Sequence, residues 1–86
     1  MYEVELSAKA EQFYALAPLP LATKIARCLE QLEISPRRHN NIKPLRGKLA
    51  GQWRYRVGDY RVIYQIDDAR QQVHVIAIVD RGKAYE

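Results

Sequence analysis

Apolar and polar residues alternate through two neighbouring stretches, Trp53-Arg54-Tyr55-Arg56-Val57 and Tyr60-Arg61-Val62-Ile63-Tyr64-Gln65-Ile66. A period of two marks strands with one buried face. Gly58-Asp59 between them is a two-residue turn signal, because Gly takes positive φ without steric cost. So short a loop fixes the register. Val57 then opposes Tyr60, Arg56 opposes Arg61, Tyr55 opposes Val62, Arg54 opposes Ile63 and Trp53 opposes Tyr64. Opposed residues share a face. Trp53, Tyr55, Val57, Tyr60, Val62 and Tyr64 make a core face. Gln52, Arg54, Arg56, Arg61, Ile63 and Gln65 make the other.

Around this hairpin the pattern predicts further elements. Residues 2–6 alternate and read as a short half-buried strand. Ser7 is a good N-cap for a helix with Ala10, Phe13, Tyr14 and Ala17 on one face. Pro18 ends it by disfavouring helical geometry at Ala17. A second helix opens near Pro20 or Leu21, carries a stripe of Leu21, Ile25, Cys28, Leu29 and Leu32, and stops at Ser35-Pro36. Residues 37–51 read as a loop, long for a compact domain. Residues 73–79 are almost wholly apolar, as for a strand buried on both faces. The order is β-α-α-β-β-β. It predicts a single α+β domain over residues 1–86, a helical hairpin on one face of a mainly antiparallel four-stranded sheet. The opposite face is expected to be open and basic.

Charge sharpens that picture. Of 86 residues, 14 are Lys or Arg against 10 Asp or Glu, giving a net charge of +4. The cations cluster. Arg56 opposite Arg61 is a like-charge pair, which costs stability, and Arg54 is on the same face. Arg37, Arg38, Lys43, Arg46 and Lys48 precede it in a loop without an acid. Such a surface suits a polyanion, and the planar fork of Arg suits phosphate. The alternative is a solvated sheet face.

Other chemistry is missing. His39, His74 and Cys28 are isolated, which argues against a metal site. The Gly-containing segment Arg46-Gly47-Lys48 does not match a phosphate-binding loop, and no nucleophile elbow is present. Cys28 reads as a small core residue. No apolar run approaches membrane-spanning length and no signal-peptide pattern is seen, so a cytoplasmic protein is expected. Arg, Lys and Tyr around a phosphate remain. That set suffices to cleave RNA without a metal, since the 2′-hydroxyl is its own nucleophile and fixed cations stabilise phosphoryl charge.

Three segments carry a resemblance: Lys43-Pro44-Leu45-Arg46-Gly47, the hairpin from Tyr55 to Ile66, and Val79-Asp80-Arg81-Gly82-Lys83-Ala84-Tyr85. With them the chain resembles the RelE toxins of the RelE/ParE superfamily. The resemblance implies a metal-independent endoribonuclease, needing no cofactor, that enters the ribosomal A site. It would cut mRNA in the codon there, leaving a 2′,3′-cyclic phosphate and a 5′-hydroxyl. It also implies a cognate antitoxin, and a toxin–antitoxin hetero-oligomer that binds operator DNA.

On that resemblance Arg61, Arg81, Tyr85 and Arg54 are the catalytic candidates. Arg46, Lys48, Gln52, Arg56 and Lys83 are the RNA-binding ones. Gln52 stands where well-studied members have a lysine implicated as general base, and Gln takes no proton; Tyr85 or Lys83 would substitute. The sequence ends one residue after Tyr85, so inhibition by displacing a C-terminal helix is not expected. Two other readings stay open: a ParE-like gyrase poison, and a non-catalytic binder of RNA or of an acidic partner.

Overall fold

The hairpin forms in the register that its turn dictates. In the computed structural model, which describes residues 1–81, strands β3 (Trp53–Val57) and β4 (Tyr60–Asp67) pair antiparallel. All five opposed pairs are those expected from parity, including Arg56 with Arg61. Gly58 has φ +57° and Asp59 has no positive φ, the pattern of a type II′ turn, whose twist matches that of the strands.

The sheet is larger than expected. Its order is β1-β5-β4-β3-β2, with β1 (Glu3–Leu6) parallel to β5 (Gln72–Asp80) and the other pairs antiparallel. The fifth strand, β2 (Ile42–Pro44), comes from the stretch read as loop. Three residues are too few to show a period. Pro44 lies on the sheet edge, where its missing N–H costs no ladder bond.

Two helices, α1 (Ala8–Leu16) and α2 (Leu19–Ile34), connect β1 to the rest. The Ser7 side chain caps α1 by accepting from the Ala10 N–H at 3.1 Å. Ala17, before Pro18, is extended and ends that helix. Pro20 is in the first turn of α2, and Ser35 leaves helical geometry at its end. Ala10, Ile25, Cys28 and Leu32 pack with Tyr55, Val62, Tyr64, Val73 and Val75 into one core between the helices and the sheet. Tyr64 is fully buried, and its hydroxyl donates to the Pro36 carbonyl at 2.6 Å. No helix among the described residues is long and apolar enough to cross a membrane.

One irregularity places the end of β5. Ile63 pairs with Ala77 but Tyr64 pairs with Val75, so Ile76 is an unpaired extra residue, a β-bulge. The bulge shifts parity. Val73 and Val75 before it and Ile78 after it all belong to the core cluster. Val79 consequently opposes Arg61, and the Arg81 N–H donates to the Asp59 carbonyl at 2.7 Å. Arg81 is thus held by its backbone to the turn of the hairpin, just beyond the end of β5.

Candidate functional site

Two rows of side chains cross the sheet face away from the helices. One runs Lys43, Arg54, Ile63, Ala77 over β2, β3, β4 and β5. The next runs Arg56, Arg61, Val79. The expectation of an open face needs correction at its centre. Ile63 is 1% exposed and Ala77 is 2% exposed, so an apolar floor separates the cations.

A groove of about 640 Å³ is lined by Lys43, Arg46, Lys48, Arg54 and Arg61 together with Pro44, Leu45 and Leu49. Among the described residues its wall carries five cations and no carboxylate. Arg54 and Arg61 come from the hairpin. Lys43 comes from β2, directly opposite Arg54. Arg46 and Lys48 flank or occupy a 3₁₀ turn, Gly47–Leu49, which Gly47 enters at φ +67°. Gln52 clamps this segment through its backbone: its carbonyl accepts from Leu45 N–H at 2.9 Å and its N–H donates to the Leu49 carbonyl at 3.0 Å. Arg54 is itself held, since Nη1 donates to the Asn41 carbonyl at 3.0 Å. The same carbonyl accepts the Arg56 N–H at 2.9 Å.

Of the residues expected from sequence, Arg46, Lys48, Arg54 and Arg61 converge on the groove. Gln52 lies beside it as a backbone clamp. Arg56 is exposed and lines a different groove, because β2 ends opposite Tyr55 and leaves its flank bare. Arg81 is exposed, immediately after β5. Lys83 and Tyr85 lie outside the described residues. Sequence reasoning left out Lys43 as a site residue, and Pro44, Leu45 and Leu49 as an apolar wall. The signal was the alternation of Ile42 inward with Lys43 outward, visible only once β2 is known to pair.

Arg37 is a further correction. It was grouped with the basic loop, yet it forms a bidentate pair with Asp68 at 3.0 and 2.7 Å and sits 5.7 Å from the Trp53 ring centre. Its charge is matched and contributes little to an anion site. The Arg37 guanidinium, with the Tyr2 hydroxyl, holds the Asp68 carboxyl down to about 2. Among the described residues no three His, Cys, Asp or Glu side chains converge as a metal site requires.

Among the described residues, cations beside the apolar side chains of Pro44, Leu45 and Leu49 are chemically suited to a phosphodiester with its sugar or base against the apolar side. Comparison with known proteins adds relatives. A family model described as the ParE toxin of the type II toxin–antitoxin system parDE matches residues 4–85. Toxin RelE of Mycobacterium tuberculosis is 36% identical over 86 residues, covering 98% of this chain and 86% of that protein. The toxin–antitoxin complex RelBE2 from the same organism superposes with a TM-score of 0.79 at 28% identity, over 93% of this chain and 98% of the other. The archaeal RelE–RelB complex from Pyrococcus horikoshii shares the fold, with a TM-score of 0.82 at 24% identity over 96% and 98% of the two chains.

Proposed function

The chain belongs to the RelE family of the RelE/ParE superfamily, toxins of type II toxin–antitoxin systems, and from that premise we propose that it is a ribosome-dependent, metal-independent mRNA endoribonuclease. The observation that carries the proposal is the convergence of Lys43, Arg46, Lys48, Arg54 and Arg61 on one groove. Arg54 and Arg61 would hold the scissile phosphate, joined by Arg81 on the family resemblance. The 2′-oxygen attacks the adjacent phosphorus and the bond to the 5′-oxygen breaks. A 2′,3′-cyclic phosphate forms, and the leaving oxygen takes up a proton. Fixed guanidinium groups stabilise the charge on the phosphoryl oxygens without reorganising. Arg keeps its proton and cannot be the base. Gln52 has no basic atom, which leaves Lys43 and Lys48 as the amines lining the groove, and Lys83 and Tyr85 by family resemblance.

The protein would act in the cytoplasm, at the ribosomal A site. The RelE–RelB complexes among the structural relatives support a cognate antitoxin as its inhibitor. An acidic antitoxin segment laid in the groove would match its charges and block it. The pair would also bind operator DNA.

Primer extension on a defined mRNA in a purified translation system tests the reading, with wild type and Arg61→Ala, each with and without ribosomes. Cuts in the A-site codon that need both ribosomes and Arg61 are expected. Cuts without either would overturn the site or the ribosome dependence. The matching family model is described as a ParE toxin, which favours gyrase poisoning as the second reading. A DNA-damage response without mRNA cleavage would select it.

A further inference from the structure

A second basic groove opens at the β2 edge of the hairpin. It encloses about 270 Å³ between Lys24 and Arg27 of α2, Asn41, and Tyr55, Arg56 and Gly58 of the hairpin. Lys24 and Arg27 are three residues apart, on one face of the helix, where like charges repel. They are exposed while Ile25 and Cys28 supply the core contacts, so packing does not require either cation. Arg56 adds a third, and no carboxylate is among the described residues that line the groove.

The two grooves share no lining residue but meet at the hairpin. Arg56 stands directly opposite Arg61, which lines the other groove, and paired strands lie only about 4.8 Å apart. The Asn41 carbonyl receives both Arg54 and Arg56. The cations thus form a track from the sheet face, around the hairpin, to α2. An aromatic platform stands beside it. The exposed His39 ring stacks on Tyr55 at 5.0 Å between centroids and 27° between planes. Tyr55 is nearly buried, and burial raises its pKa, so its hydroxyl keeps a proton to donate. Cations tracking a backbone beside an aromatic face are the parts of a single-strand nucleic-acid site. An acidic peptide would use the charges but leave the ring idle.

We propose that this second groove binds RNA backbone, with Lys24, Arg27 and Arg56 on phosphates and the outer face of His39 against a base. That the same strand continues into the first groove rests on the function proposed above; the affinity of the second groove for RNA does not.

The test is fluorescence anisotropy over a salt series, with a labelled single-stranded oligoribonucleotide in one arm and purified ribosomes in the other. Lys24→Ala/Arg27→Ala and His39→Ala are compared with wild type, and thermal melting confirms that each is folded. Removing two phosphate contacts is expected to weaken binding about tenfold and to flatten the slope of log K against log salt by about 1.4. His39→Ala should weaken binding at unchanged slope. Loss with both RNAs assigns the groove to the substrate strand; loss with ribosomes alone assigns it to ribosomal RNA. Unchanged affinity and slope in both arms would overturn the proposal, as would loss of binding to poly-glutamate with RNA binding intact. Primer extension keeps the two ideas separable. A protein that cuts nothing yet loses salt slope in the double variant keeps this groove and forfeits the nuclease reading.

Discussion

The Ser7 hydroxyl donates to the Ile76 carbonyl at 2.6 Å while accepting from the Ala10 N–H at 3.1 Å. One oxygen therefore starts α1 and holds the bulge of β5. That bulge puts Val79 opposite Arg61. Ser7→Ala loses both bonds, and a destabilisation of about 2 kcal/mol is expected from the cap and the orphaned carbonyl together. Ser7→Thr should recover most of it. Urea unfolding measures both, and a loss in Ser7→Ala no larger than a few tenths would contradict the dual role.

The ion pair of Arg37 with Asp68 makes stability depend on pH in acid. Asp68 is depressed to about 2 in the folded protein, against about 3.9 for an unperturbed Asp. A depressed carboxyl stabilises the fold above the unfolded value, and that contribution fades as pH falls through the folded one. Melting temperatures of wild type and Arg37→Met should therefore differ at pH 5 and converge toward pH 2. A constant gap would remove Asp68 as the cause.

Cys28 is 1% exposed and burial pushes its thiol up to about 12. The thiolate is the nucleophile, so an aromatic disulfide reagent at pH 8 should leave the folded protein unmodified. Reaction should become rapid in guanidinium chloride. Fast labelling of native protein would mean that the α2 side of the core opens readily.

On the proposed function, charge and proton transfer are separable roles for Lys43. Lys43→Ala is expected to slow single-turnover mRNA cleavage about tenfold or more, in line with the loss of one electrostatic contact to a transition state. Lys43→Arg should restore most of the rate. An arginine variant as slow as the alanine one would instead give the Lys43 amine a proton to carry, since Arg cannot release its own.

The hairpin was readable because a two-residue turn allows one register, and alternation then sorted the side chains. From this Arg54 and Arg61 followed directly. Three features were hidden for physical reasons. Strand β2 is only three residues long and owes its existence to the bare edge of β3, a tertiary effect. The bulge at Ile76 lies in an apolar run, where a change of parity leaves no trace in the pattern. Arg37 reads as part of a basic loop because its partner Asp68 is 31 residues away.

The parallel pairing of β1 with β5 also has a consequence for synthesis. Glu3 through Leu6 find their partners at Gln72 through Val75, and Ser7 finds Ile76. A growing chain on the ribosome lacks those partners until nearly all of it has emerged. Contacts so distant in sequence also close slowly. The hairpin arginines can be made without yet being held in a finished fold.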